Sequence, residues 1–251
     1  MNISFVGRNV VITGSSRGIG LGIAEGFAAA GARLHLIAND GAVHGVAKAL
    51  GASSIEADIA DKAQVRAALA GLSRIDVLIN NAGLELMTPI EDSTDATSDA
   101  FRRVIDINVG GTALVTAAAL ECMAPGSAIV NTASIWGRVA EPRFGAYVAS
   151  KHAIIGLTKT WARELGPRGI RVNAVCPGWV RTEASMRSLG RIATEAGRDP
   201  QVMLEEIVAG QALPGLMEPA DMAPTYMFLA SDLAANITGQ SINVDRGEVP
   251  W

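Results

Sequence analysis

Cysteine is scarce in this chain. Cys122 and Cys176 are the only two in 251 residues, and they share no paired spacing. That excludes a disulfide framework or a cysteine zinc site and fits a reducing compartment, so a cytoplasmic location is expected. Histidine is as thin: His35, His44 and His152 are scattered, and no metal site is expected. Aromatics make up 4% and charged residues 18%. The net charge is −4 and the pI ≈ 5.4, which leaves no basic surface for nucleic acid. No apolar run reaches the ~18 residues of a bilayer span, and the first residues lack a basic-then-apolar leader pattern. Neither nucleic acid nor a membrane is an expected partner.

Apolar residues dominate what is there, at 49%. This length suits one α/β domain over 1–251 with a substantial core. Asn9–Thr13 is a short apolar run that reads as a buried strand. It feeds the turn T-G-S-S-R-G-I-G, Thr13 to Gly20, and then an Ala-rich helix closed by Gly31. Arg33–Ala38 is the next strand. Strand, glycine turn, helix and strand form a dinucleotide-binding unit, because glycine lets the backbone approach a pyrophosphate and the helix N-terminus offers unpaired N–H groups.

Further strands are expected at Ser53–Ala57, Ile75–Ile79, Ser127–Thr132, Ile170–Val175 and Ser241–Asp245. Asp61 starts a helix, with Gln64 at the capping-box position. Phe101–Cys122 reads as one long helix carrying Asn108, and Tyr147–Leu165 as a helix stopped by Gly166-Pro167. Pro219 opens a last helix running to about Ser231. Strands alternating with helices give a doubly wound, Rossmann-type, mostly parallel sheet of seven strands with helices on both faces. The weakly periodic stretch at about 182–215 is read as a substrate lid.

The stretch from Asn131 to Lys151 carries the chemistry. If Tyr147 opens a helix, Lys151 lies one turn on, on the same face. A phenol beside an ammonium is a proton-transfer pair, since the cation lowers the tyrosine pKa from its ordinary value of ~10. The hydroxyl of Ser134 is placed to hold a substrate oxygen against that phenol, which suits acid–base work on an alcohol or ketone.

Five pieces occur in order: Thr13-Gly14-x-x-x-Gly18-x-Gly20, Asn80-Asn81-Ala82-Gly83, Asn108, Ser134 with Tyr147-x-x-x-Lys151, and Pro177-Gly178. Together they resemble the short-chain dehydrogenase/reductase family over essentially the whole chain. The resemblance implies an NAD(P)-dependent oxidoreductase acting on a secondary alcohol or ketone. Its catalytic set would be Asn108, Ser134, Tyr147 and Lys151. Tyr147 would exchange the substrate proton, and Ser134 would bind the substrate oxygen. Lys151 would tune Tyr147 and bind the nicotinamide ribose. Asn108 would distort its helix and hold a relay water. The cofactor would meet Gly14, Ser16, Ile19 and Gly20 at its pyrophosphate and ribose, and Asp58 and Ile59 at its adenine. Asn81, Ala82 and Gly83 would flank the adenosine ribose, with Pro177, Gly178, Val180 and Thr182 at the nicotinamide. The resemblance also implies a homodimer or homotetramer.

The expected substrate is a small alcohol or ketone, a sugar, polyol or sugar acid, with a 3-oxoacyl thioester reductase or a non-catalytic NAD(P)-binding role as alternatives. Trp136 and Trp179 are read as substrate contacts beside Ser134 and Tyr147. Arg138, Glu141 and Arg143 either read a polar substrate or form a solvated loop. His152 is read as packing and Cys176 as a small buried hydrophobe. Asn80 is read as a tie between strand ends. At the end of the second strand, Ala38 stands where NAD-preferring relatives carry an acid. Arg17 matches the basic residue of NADP-preferring relatives, while Asn39 stands where many place a second arginine. The cofactor is therefore NAD(P), with a modest preference for NADP(H). Arg246 is read as an interface residue or a substrate contact from a neighbouring subunit.

Overall fold

The computed structural model describes residues 3–250; the Trp251 tail, which the family resemblance places near a neighbouring subunit, lies outside them. The elements run β1 Asn9–Thr13, α1 Gly18–Ala29, β2 Arg33–Ala38, α2 Ala42–Leu50, β3 Ser53–Glu56, α3 Lys62–Leu69 and β4 Val77–Asn80. After α4 Asp95–Ile105 comes a π-helical stretch, Asp106–Gly111, leading straight into α5 Thr112–Ala119. Then follow β5 Ala128–Thr132, α6 Gly145–Leu165, β6 Arg171–Pro177, α7 Glu183–Glu195, α8 Pro200–Ala209, α9 Ala223–Ala230 and β7 Ser241–Val244.

The strands form one seven-stranded sheet in the order β3-β2-β1-β4-β5-β6-β7, and every pairing is parallel. The alternating pattern expected from sequence is therefore met, with no antiparallel edge among the described residues. Central strands are covered on both faces, which is why they read as unbroken apolar runs. Ile12 and Leu36 point into a core with Ile23 and Phe27 of α1 and Tyr226 of α9. Val11 and Leu78 point the other way, onto Val65 of α3, Val115 of α5 and Leu165 of α6.

After β3 the chain crosses back to pair β4 with the opposite edge of β1. This reversal opens a crevice at the carboxyl ends of the strands, the usual ligand position in such sheets. The turn after β1 fits there only because it is glycine. Gly14 has φ +65, and a Cβ on it would lie 2.7 Å from Ala82 Cα. A Cβ on Gly20 would lie 2.0 Å from the Gly14 carbonyl oxygen.

Two local readings need correction. The expected Phe101–Cys122 helix begins earlier, at Asp95, because the Thr94 side chain caps it by accepting Thr97 N–H. Asp61 caps α3 through Ala63 and Gln64 N–H. The Gln64 side chain does not return to the Asp61 backbone; its oxygen accepts Asp58 N–H at 2.9 Å instead.

Candidate active site

One cavity of about 570 Å³ runs along the carboxyl edge of the sheet, within the usual range of small-molecule sites. At one end are Gly14, Ser16, Arg17, Ile19 and Gly20; at the other are Ser134, Trp136, Tyr147, Lys151 and Trp179. Asn39, Asp58, Ile59, Asn81, Ala82, Gly83, Pro177, Gly178, Val180 and Thr182 line it between them. Every site residue expected from sequence thus faces this cavity except Asn108, which stands behind its wall.

The glycine turn is tied to the sheet by Asn81. Its amide donates to the carbonyls of Thr13 at 3.2 Å and Gly14 at 3.0 Å. No side chain caps the start of α1, whereas Asp61 caps α3 and Thr182 caps α7. The N–H groups of the first turn of a helix lack helical partners, and at α1 they belong to residues that line the cavity. That is a receptive end for a pyrophosphate. Asn80 works as the expected tie: its amide nitrogen donates to Thr116 Oγ1 and Asn131 Oδ1, both at 2.9 Å.

At the other end, β5 delivers Ser134 and α6 delivers Tyr147 and Lys151. The Ser134 hydroxyl accepts Trp136 N–H at 3.1 Å, fixing a short 3₁₀ turn, and faces the Tyr147 phenol. The Lys151 ammonium donates to the Thr132 carbonyl at 2.8 Å and lies 5.3 Å from the centre of the Tyr147 ring. Trp136 stacks edge-on against Tyr147 and Trp179, with centroids 5.8 and 6.2 Å away. It is therefore both packed and cavity-lining.

The expected effect of Lys151 on Tyr147 is not met. Burial, reinforced by the charge of Glu85, pushes the phenol above its ordinary value, and the Ser134 hydroxyl offsets only part of this. Burial also pushes Lys151 down to about 8, against an upward pull from Glu85. Desolvation disfavours both charged forms at once, and the ammonium is held by a carbonyl rather than by the phenol.

Asn108 lies in the π-helical stretch, as the expected helix distortion requires. Its side-chain oxygen accepts Leu84 N–H at 2.7 Å, and its nitrogen donates to Leu84 O and Ser150 Oγ, each at 2.9 Å. Both of its amide hydrogens are thus engaged within the protein. Neither arginine of the loop before Tyr147 lines the cavity, and Arg143 is exposed, as the solvated-loop reading has it. Arg138 donates to the Ser241 carbonyl of β7, and Arg143 pairs with Glu195 of α7 at 2.5 Å. His152 is exposed rather than packed, while Cys176 is fully buried. Arg246 donates to the Pro214 carbonyl at 2.6 Å.

The stretch read as a lid holds two helices, α7 and α8. Its ends are pinned together, since Val180 bridges Met217 and Arg181 pairs with Glu218 at 2.8 Å. Thr182 Cγ2 would lie 3.4 Å from a Cβ on Gly18, so the start of this segment abuts the glycine turn. Sequence reasoning missed Glu85, Ser185 and Arg187, which also line the cavity. The available signal was a lone carboxylate among apolar neighbours, L-E-L-M, directly after Asn80–Gly83.

A family model described as enoyl-(acyl carrier protein) reductase matches residues 14–248. A solved short-chain dehydrogenase/reductase from Brucella melitensis superposes with a TM-score of 0.90 at 30% identity, covering 100% of both chains. This chain belongs to the short-chain dehydrogenase/reductase family. Oxidoreductase UcpA of Salmonella typhimurium is 38% identical, over 96% of this chain and 94% of that protein. D-beta-hydroxybutyrate dehydrogenase of Cupriavidus necator is 34% identical over 97% and 98%. Galactitol 2-dehydrogenase (L-tagatose-forming) of Cereibacter sphaeroides is 34% identical over 98% and 96%. A structure described as an NAD(P)-dependent gluconate 5-dehydrogenase from Beutenbergia cavernae, with NADP at low occupancy, has a TM-score of 0.87 at 32% identity, covering 99% of both chains. The chain is thus an oxidoreductase by family, and no helix among the described residues is long and apolar enough to cross a membrane.

Proposed function

We propose that this protein interconverts a secondary alcohol and a ketone with NAD(P)(H), on a small sugar, polyol or sugar-acid substrate. One observation carries the reading: Ser134, Tyr147 and Lys151 converge at one end of a cavity whose other end is an uncapped, glycine-lined helix N-terminus. The cofactor would be held by the first turn of α1, by Asn39, Asp58 and Ile59, by Asn81 to Gly83, and by Pro177, Gly178, Val180 and Thr182. When bound, it supplies the carbon that takes or gives hydride. Ser134 holds the substrate oxygen, and Tyr147 takes the alcohol proton or returns it to the ketone. Lys151 would hold the nicotinamide ribose, and the Asn108 segment carries the relay toward solvent. Helices α7 and α8 act as the lid, and the protein works as a homodimer or homotetramer in the cytoplasm. The uncharged end of β2 at Ala38, together with Arg17, supports a modest preference for NADP(H).

The family model's description favours a second reading, a reductase of acyl thioesters. A panel of alditols, hydroxy acids, their ketones, an acetoacetyl thioester and a crotonyl thioester, read at 340 nm with both cofactors, separates the two. Tyr147→Phe should bind cofactor as the wild type does and lose roughly 10²-fold or more in kcat, the scale of positioned acid–base catalysis. Near-normal turnover in that variant would remove Tyr147 from the mechanism.

A further inference from the structure

Glu85 lines the reacting end of the cavity and has no part in the proton path above. Its loop is held at both ends by the elements that set Tyr147. On one side, the Asn108 amide brackets the backbone of Leu84 with bonds of 2.7 and 2.9 Å. On the other, Thr88 Oγ1 accepts Ala146 N–H at 3.0 Å, and Thr88 N–H donates to the Arg143 carbonyl at 2.6 Å. The carboxylate is therefore placed by the π-helical stretch and by the start of α6.

The side chain opens to the cavity rather than to bulk water. Burial pushes its carboxyl above the ordinary value, opposed by Ser188, Lys151 and Arg187. Its charge in turn moves both Tyr147 and Lys151 upward, so it stands within electrostatic reach of the reacting atoms. Arg187, the lid cation on the same wall, is paired with Glu183 at 3.2 Å. An ionised carboxylate has only acceptors. Ionised, the form that Lys151 and Arg187 favour against burial, it accepts hydrogen bonds from hydroxyl groups and repels a second anion, and both effects grow where water is excluded.

We propose that Glu85 is the specificity-determining residue of this site: it accepts a hydrogen bond from a second hydroxyl of the substrate, selecting neutral polyhydroxylated alcohols and rejecting hydroxy acids. This rests on the dehydrogenase reading above and narrows it. Family membership does not make the choice, because the relatives are named for both a neutral alditol and a hydroxy acid.

The test uses galactitol, 3-hydroxybutyrate and 2-butanol as probes for wild type, Glu85→Gln and Glu85→Leu, with cofactor Kd measured alongside. Wild type should favour galactitol over both other probes in kcat/KM. Glu85→Gln keeps the shape and removes the charge. It should lower kcat/KM for galactitol by roughly 10-fold, mainly through KM, and raise it for 3-hydroxybutyrate. Glu85→Leu should lose up to about 100-fold on galactitol, the range of a charge-assisted hydrogen bond. Cofactor Kd should stay constant in both. A wild-type preference for the hydroxy acid, or a galactitol-to-hydroxybutyrate ratio unchanged in Glu85→Gln, overturns the proposal and leaves the dehydrogenase reading standing. An equal loss of kcat on all probes also overturns it, placing Glu85 in the proton path instead. If wild type binds cofactor but turns over no alcohol, ketone or thioester, the dehydrogenase reading falls and this proposal falls with it.

Discussion

A 2′-phosphate arriving beside Arg17 meets a guanidinium that is already engaged. Arg17 donates to Asp40 at 2.7 Å, and the Ser16 hydroxyl donates to the same carboxylate oxygen at 2.9 Å. Ala38 leaves room, yet the carboxylate absent from the end of β2 has re-entered two residues later. The Arg17 side chain is 62% exposed, and exposed pairs contribute little. A 2′-phosphate of about two charges would have to displace Asp40 to reach Arg17. Asp40→Asn should free Arg17 and raise the preference for NADPH over NADH by up to ~10-fold, about one good charge-assisted hydrogen bond. Arg17→Ala should move the ratio the other way. Titrating both cofactors into each variant checks this, and a ratio unmoved by Asp40→Asn would show that Arg17 does not read the phosphate. The pair was only half legible in sequence. Arg17 stood out by its place in the glycine turn, but its partner lies on another element and no spacing rule joins them.

The helix built from α4, the π-helical stretch and α5 shows what sequence does and does not specify at the level of an element. Asn108 pointed to a distortion, and the distortion is there. The true start was hidden because the residues before Phe101, S-T-D-A-T-S-D-A, are polar and read as a loop, while a single threonine cap begins the helix inside them. The helices inside the 182–215 stretch were hidden for a different reason: α8 carries apolar residues but buries none of them, so they mark no single face. Surface exposure on α4 and α6 carries a prediction. Phe101 is 44% exposed, and nothing lies within 4 Å of where a Cβ on Gly156 would sit, so an apolar side chain and open backbone face outward here. Sedimentation at micromolar concentration should show a dimer or tetramer; a monomer would mean these faces serve no assembly.

Across the whole molecule, one half-buried carboxyl couples the far end of the chain to pH. Glu248 packs behind Gly178, where a Cβ on that glycine would lie 3.3 Å from its Oε2. Burial pushes Glu248 up to about 7, with the charges of Asp245 and Glu141 adding and Gln211 opposing. Between the ordinary 4.5 and about 7 the folded protein holds a proton that the unfolded chain has lost. Stability from this group is therefore full below that window and is lost as pH rises through it. Thermal melts should show wild type losing a few degrees from pH 5 to 8 relative to Glu248→Gln; equal slopes would mean the carboxyl is solvated. The strand order adds a constraint in time. The strand before the glycine turn borders one that is made only after two further strands and three helices. Each later strand then joins at a single growing edge. During synthesis the nucleotide-binding half stands with an open edge, a state prone to mispairing, until the half bearing Tyr147 and Lys151 leaves the ribosome and zips on strand by strand.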